Sequence, residues 1–475
     1  MATDPRNGST VLPEPGKRNV LVTSALPYVN NIPHLGNIIG SVLSGDTFAR
    51  YCRGCGINTL YVGGTDEYGT TTEARALAEG CIPKELCGKY RVIHADVYKW
   101  FSTSFDIFGW TTIELQTEVT QDIFLSLNRN GLLKECQTTQ LYCECPACAY
   151  PDARGDQYDL CGRLLDTLQL KNPRCKVDGS VPITKEMNHD GLEPRSITRD
   201  MKWGTRVPPP GYEDKVIYPW FDACIGYWEK WWRNPKDTKL HHLSTTEYLT
   251  YGGGEFSKSR NIGVFGDSAQ KTGVASDFTC DSFISDNSNL LLEKLGNFYH
   301  DDSFDTFEDD IAKLLSRYIQ ELDAVNLRSG LSTVLAISQQ GNGFLQSNKL
   351  DGNLFNTEPS KCAVVVGIAV DLVHLPASLL APYMPDTANS INKRLRADPL
   401  PIPDCWSADS IMPGHKIGKA EHLFRPIKPE KTQEWRKAFG ADEAKKTKEE
   451  DAALKVPTPI YSSTKYNLGG VLGQG

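Results

Sequence analysis

Pro33-His-Leu-Gly-Asn37 puts an imidazole and a carboxamide three residues apart where a helical pattern begins. Backbone N–H groups and the dipole at a helix N-terminus favour phosphate, and a histidine placed there can donate to a phosphate oxygen. A second cluster, Gly64-Thr-Asp-Glu-Tyr-Gly69, follows a strand-like run. Polar residues at the end of a strand suit the carboxyl edge of an open α/β sheet, where ligands bind. A third, YGGGEFSKSRNIGVFGD from Tyr251 to Asp267, is a Gly-rich loop carrying Lys258. It does not fit the phosphate-binding pattern GxxxxGK[ST], since GGGEFSKS lacks the spacing. Each has a plainer reading. His34 and Asn37 suit a capped core helix, Asp66 a turn, and Lys258 a solvated loop.

The elements that must carry these residues follow from periodicity. Asn19 to Thr23 alternates as a strand, Pro27 to Pro33 is a turn, and Ile38, Ile39, Val42, Leu43, Phe48 and Tyr51 recur at helical spacing until Gly54 and Gly56. A second strand is expected over Thr59 to Val62. Helices are expected over Lys84 to Ser104 and Thr117 to Asn130. Regular structure resumes with Lys215 to Ala223. Helical patterns dominate from about Asn287 to Leu395, including Ile311 to Leu322 and Cys362 to Leu380.

The chain has 475 residues, net charge −8 and 40% hydrophobic residues. These totals suit two to four domains with real cores and argue against a non-specific nucleic-acid coat. No run reads as long or apolar enough to span a membrane, and the N-terminus lacks a signal-peptide core. The 14 cysteines, clustered only from Cys136 to Cys175, read as thiols or metal ligands in a cytoplasmic chain.

Three motifs in order, ALPYVNNIPHLGN (Ala25 to Asn37), GTDEYG (Gly64 to Gly69) and EFSKS (Glu255 to Ser259), carry a resemblance. The chain resembles the methionyl-tRNA synthetases of the eukaryotic cytosolic kind, class I aminoacyl-tRNA synthetases. HLGN is a HIGH-type signature and EFSKS a KMSKS-type loop. Trp220 to Tyr227, WFDACIGY, is similar to the family's WFDAPIGY. LGNF (Leu295 to Phe298) and GHKIGK (Gly414 to Lys419) extend the likeness over roughly residues 17–427. The resemblance implies an α/β fold: a Rossmann-like parallel-sheet catalytic domain with a Cys-containing insertion, followed by an α-helical anticodon-binding bundle. It implies methionine activation by ATP with Mg2+, transfer to tRNA(Met), a cytoplasmic location, no membrane, and membership of a multi-synthetase assembly as an option.

By the same resemblance, His34, Asn37 and Lys258 are the catalytic residues. Gly36, Ser257 and Ser259 complete the ATP contacts. Asp66 pairs with the methionine ammonium, and Leu26, Tyr28, Trp220, Ala223 and Tyr227 wall the thioether pocket; aromatics and a soft sulfur make favourable contacts. Plain core is the other reading of Trp220. Asn297 fits the first anticodon residue. Cys145, Cys148, Cys161 and Cys175 supply one structural Zn2+ site, since tetrahedral zinc needs four ligands; reduced thiols in a loop are the other reading.

The sequence also departs from the family pattern. Glu255 stands where the KMSKS-type loop has its first lysine, and Cys224 replaces a proline. A stretch with a Gly-Lys-Asp motif is missing after Tyr227, and a second gap follows Val274. Tyr158 and Asp178 replace knuckle cysteines. Phe355 is the remaining stacking candidate for the anticodon. Lys416, Lys419, Arg425 and Lys428 offer only phosphate contacts.

The expected organisation is an arm over 1–18, the first half of the catalytic domain over 19–135, and the insertion over 136–204. The second half with the KMSKS-type loop covers 205–285, the anticodon domain 286–410, and a charged tail 411–475. A methionine–tRNA ligase is the expected function. The alternative is a catalytically impaired paralogue or truncated product that binds tRNA or a synthetase partner without aminoacylation.

Overall fold

The computed structural model describes residues 13–142, 183–192, 195–199, 201–225, 304–350, 352–412, 414–419 and 423–424. Three parallel strands, β1 (Asn19–Thr23), β2 (Asn58–Thr65) and β3 (Ile107–Trp110), pair in the order β1-β2-β3. Parallel neighbours need crossovers, and helices supply them. Between β1 and β2 the helix runs through α1 (Leu35–Asn37), a π-helical turn (Ile38–Leu43) and α2 (Ser44–Gly54). Between β2 and β3 lie α3 (Thr70–Glu79) and α4 (Pro83–Trp100), and α5 (Glu114–Arg129) follows β3. Pro83 opens α4, where its fixed φ and missing N–H cost nothing. Among the described residues no strand pairs with the outer edge of β1.

Strand β2 is buried from Thr59 to Thr65, as a strand covered on both faces must be. It continues through Gly63 and Gly64, which sequence rules treat as strand breakers. A Cβ on Gly63 would lie 2.1 Å from the Phe105 ring, and one on Gly64 would lie 2.3 Å from the Gly109 carbonyl oxygen. The Gly109 obstacle is backbone and cannot swing aside. Gly64→Ala is therefore expected to cost roughly 3 kcal/mol or more of stability. Urea denaturation of the variant checks it.

An antiparallel pair, β4 (Lys134–Tyr142) and β5 (Ile183–Leu192), runs in register from Lys134 opposite Gly191 to Tyr142 opposite Ile183. Strand β6 (Arg195–Ser196) extends it. The chain then packs back on the parallel-sheet elements. Strand β7 (Thr198–Arg199) pairs with β8 (Val216–Ile217), and Ile197, Val207 and Ile217 bury the ring of Phe124 on α5. Trp203 donates from its backbone to the Glu73 carboxylate (2.7 Å) and from its ring N–H to the Glu67 carbonyl (2.7 Å). The short α6 (Pro219–Asp222) follows.

The helical part comprises α7 (Phe304–Asp323), α8 (Leu327–Ser347), α9 (Gly352–Thr357), α10 (Pro359–Leu380) and α11 (Pro385–Leu395). Ile311, Leu315, Tyr318 and Leu322 recur at helical spacing on α7 and are fully buried. Their cluster takes in Tyr51 and Cys52 from the end of α2 and Ile402 beyond α11, so one core spans both halves. Asp323 clasps the junction: it accepts from Arg18 (2.9 Å) and from the Tyr51 hydroxyl (3.3 Å).

One expectation needs correction. Helix α10 is long and apolar enough to cross a membrane by length and composition. Its place explains the composition. Val365, Leu372, Leu375, Leu379 and Leu380 belong to the bundle core, while buried Asp371 accepts the Ile411 N–H (2.8 Å) and His374 Nε2 bonds the Asp398 carbonyl (2.9 Å).

Candidate active site

The carboxyl ends of β1 and β2 are tied by backbone bonds. Val29 donates to the Asp66 carbonyl (3.2 Å), and Asp66 donates to the Pro27 carbonyl (3.1 Å), so Tyr28 lies beside Asp66 as in a parallel strand pair. The turn between them delivers His34 to the N-cap of α1. His34 Nδ1 accepts the Asn37 N–H at 3.2 Å, which leaves the proton of the neutral ring on Nε2. The ring is buried, as are Leu35 and Gly36. Asn37 is half-buried, and its Oδ1 has no hydrogen-bond partner.

Gly69, at φ +113°, closes the second cluster. A Cβ there would meet Pro219 at 3.4 Å and Tyr28 at 3.6 Å. One point therefore gathers the first loop, the Asp66 turn and the start of α6. Trp220 and Ala223, three residues apart, share one face of that turn. Trp220 is 43% exposed and lies parallel to the Tyr218 ring, 6.2 Å away. It is thus not a plain core tryptophan. Leu26 and Tyr28 are half-buried.

The electrostatics centre on two carboxyls. Asp66 is buried; its Oδ1 accepts from the Tyr68 N–H (3.2 Å) and the Thr111 hydroxyl (3.4 Å). Asp222, wholly buried on α6, accepts from the Thr205 hydroxyl at 3.2 Å through Oδ2, while its Oδ1 has no partner. Burial first, and then the charge of Asp222, holds Asp66 well above the usual carboxylate range. Burial pushes Asp222 up to about 8. Buried charges are normally paired or neutralised. Among the described residues no lysine or arginine forms an ion pair with either group, so a cationic ligand suits the pair. Asp222 shares this buried cluster with Asp66, a place that sequence reasoning did not assign; its only signal was its position inside WFDAC. Unpartnered Asn37 Oδ1, Asp222 Oδ1 and Thr65 Oγ1 at this edge mark a polar ligand site.

Tyr227, Glu255, Ser257, Lys258, Ser259, Asn297 and the four cysteines Cys145, Cys148, Cys161 and Cys175 lie outside the described residues, as do Arg425 and Lys428. Among the described residues no group of His, Cys, Asp and Glu is placed to hold a metal. Phe355 on α9 is 66% exposed, and Lys416 and Lys419 are exposed.

The model for class I tRNA synthetases (M) matches residues 20–190 and 183–243, and that for the anticodon binding domain of methionyl tRNA ligase matches residues 299–444. The cytoplasmic methionine–tRNA ligase of Saccharomyces cerevisiae is 41% identical over 565 residues, covering 92% of this chain and 75% of that protein. The cytoplasmic enzyme of Homo sapiens is 38% identical, covering 92% of this chain and 63% of its own length. The yeast alignment has 565 positions against the chain's 475 residues, so at least 90 of them have no counterpart here. Among solved structures, Mycobacterium tuberculosis methionyl-tRNA synthetase in complex with methionyl-adenylate superposes with a TM-score of 0.68 at 16% identity, covering 86% of this chain and 99% of that one. That likeness bears on the fold alone, whereas the sequence relatives and the two matched domains place the chain in the class I methionyl-tRNA synthetase family.

Proposed function

We propose that the chain is a cytoplasmic methionine–tRNA ligase. The observation that carries the reading is the buried, cation-free carboxyl pair of Asp66 and Asp222 at the same sheet edge as the N-capping His34. Asp66 takes the ammonium of methionine, and Leu26, Tyr28, Trp220, Ala223 and Tyr227 surround the thioether. The methionine carboxylate then attacks the α-phosphate of ATP, forming methionyl-adenylate and releasing pyrophosphate. His34 Nε2–H and the Asn37 carboxamide meet the phosphate oxygens at the start of α1, and Gly36 leaves room for them. Ser257, Lys258 and Ser259 close over the pyrophosphate, whose charge Mg2+ shares. The 3′-terminal ribose of tRNA(Met) finally accepts the methionyl group. The protein's share is positioning and charge stabilisation. Asn297 is the candidate anticodon contact and Phe355 the remaining stacking candidate, Cys145, Cys148, Cys161 and Cys175 would hold one Zn2+ when it is bound, and a multi-synthetase assembly is an option as protein partner.

The test is ATP–pyrophosphate exchange on the purified full chain with each amino acid in turn. Exchange is expected with methionine alone, and slowly, because the ATP-binding stretch after Tyr227 is missing. Glu255→Lys is expected to raise it by roughly tenfold, since the change replaces a negative charge beside the triphosphate with a positive one. Exchange with another amino acid, or none with methionine, would refute the reading.

A further inference from the structure

The helix that begins at His34 changes register before it reaches α2. Its π-helical turn, Ile38–Leu43, spends an extra residue within the helix. Such turns are rare, and they persist where neighbouring groups serve the backbone that the wider winding disturbs. Two side chains from the sheet meet the turn. The Tyr61 hydroxyl, from the middle of β2, donates to the Val42 carbonyl at 2.6 Å. The Ser24 hydroxyl, just past β1, lies 2.7 Å from that of Tyr61 and 3.2 Å from the Ser41 carbonyl. The Ser41 hydroxyl in turn accepts the Ala25 N–H at 2.8 Å, and the Ser44 hydroxyl bonds the Ser41 carbonyl at 3.2 Å.

The fit leaves no slack. A Cβ on Gly45 would lie 2.9 Å from Ser24 Oγ and 3.1 Å from the Tyr61 hydroxyl, so glycine is what lets the helix approach these groups. Tyr61 is fully buried against Phe105, with ring centroids 4.7 Å apart. Burial raises its phenol, which therefore stays a donor at working pH. Rewinding this turn to α-helix would displace the segment before it by about one residue, which is about 1.5 Å along the axis and 100° around it. His34 and Asn37 lie in that segment.

We propose that Tyr61 and Ser24 are positioning residues: their hydroxyls lock the wide turn Ile38–Leu43 and so fix His34 and Asn37 relative to Asp66, which directly follows the strand that carries Tyr61. This rests on the assignment of His34, Asn37 and Asp66 to the adenylate-forming site. It adds to that assignment two groups whose hydroxyls are spent on each other and on the Ser41 and Val42 carbonyls.

Tyr61→Phe and Ser24→Ala, made in the full chain, test it by two routes. Tyr61→Phe keeps the ring against Phe105 and removes only the hydroxyl. By hydrogen exchange with mass spectrometry, amides of residues 38–43 are expected to exchange at least about tenfold faster in Tyr61→Phe, with α7 unchanged. In methionine-dependent pyrophosphate exchange, kcat is expected to fall by about tenfold while the KM for methionine stays within about twofold. A purely structural role would lower the melting temperature and leave kcat per folded molecule intact, and that result overturns the proposal. So does unchanged amide exchange over 38–43. Should the parent chain show no methionine-dependent exchange, the ligase reading fails while the hydrogen-exchange arm still decides whether the hydroxyls lock the turn.

Discussion

His34→Ala is expected to lower the kcat of methionine-dependent pyrophosphate exchange by roughly 10²–10³, the cost of losing one donor aimed at transition-state charge. The ring does two jobs. Its Nδ1 accepts the Asn37 N–H and caps α1, and its Nε2–H, the remaining donor, is assigned to the phosphate. An alanine removes both, and loss of the cap alone costs about 0.5–2 kcal/mol of stability. His34→Asn separates them. Asparagine is a good N-cap, so thermal stability is expected to recover most of the loss, while kcat stays about a hundredfold down because a short carboxamide cannot take the imidazole's place. Melting curves and exchange kinetics on both variants check this. A His34→Asn enzyme with near-parental kcat would confine His34 to capping.

Much of the frame that holds this residue is visible in the chain itself. Asn19 to Thr23 reads as a strand by alternation and is one, and the apolar spacing from Ile38 to Tyr51 correctly announces a helix ending at Gly54. What periodicity does not report is the winding of that helix. Six residues are too few to tell a π turn from an α turn, and the reason for the turn lies 19 residues away in the Tyr61 hydroxyl. Strand β2 ends three residues later than its β-branched and aromatic run suggests. The extension depends on Gly63 and Gly64 admitting Phe105 and Gly109, a tertiary contact with no local signal. Helix α5 likewise begins at Glu114, ahead of the apolar pattern. The apolar stretch of α10 is ambiguous in sequence for a different reason. Composition says that it avoids water, and only packing says whether a bundle or a lipid provides the shelter.

The site divides in the same way. Motif residues such as His34, Asn37 and Asp66 stand out because their types and order are unusual. Asp222 stands inside a quoted motif, but its importance arises from burial and from the neighbouring Asp66, both of which depend on how α6 folds back over the sheet edge. Trp220 shows the converse. A tryptophan beside a strand suggests core, yet its position on a four-residue helix leaves it stacked on Tyr218 and partly exposed.

That carboxyl pair sets the second large expected effect. Asp66→Asn should raise the KM for methionine by roughly 10²–10⁴, since stripping one partner from a buried ion pair costs about 3–5 kcal/mol. Asparagine preserves the shape and the bond from the Tyr68 N–H to Oδ1, so the loss reports charge rather than collapse. The pH dependence follows from the direction of the shifts. The ordinary aspartate value is about 3.9, and burial lifts Asp222 to about 8 and holds Asp66 well above its usual range. Both folded values are raised, so the native ligand-free protein holds protons that the unfolded chain releases. Stability from this source is complete below the unfolded value and is lost as pH climbs from about 4 toward about 8. An ammonium ligand has the opposite preference, because it binds the ionised carboxylate and expels the proton. The methionine KM of the parent chain should therefore fall as pH rises through the raised range of the pair, and stabilisation by saturating methionine should grow with it. Asp222 itself remains in Asp66→Asn, as do Glu67, Tyr68 and Cys224 beside the pair, so a pH response due to them would survive the substitution. Steady-state exchange and thermal melts at several pH values measure both trends. A KM within about threefold of the parent's in Asp66→Asn, or an undiminished pH response, would remove Asp66 from ammonium recognition.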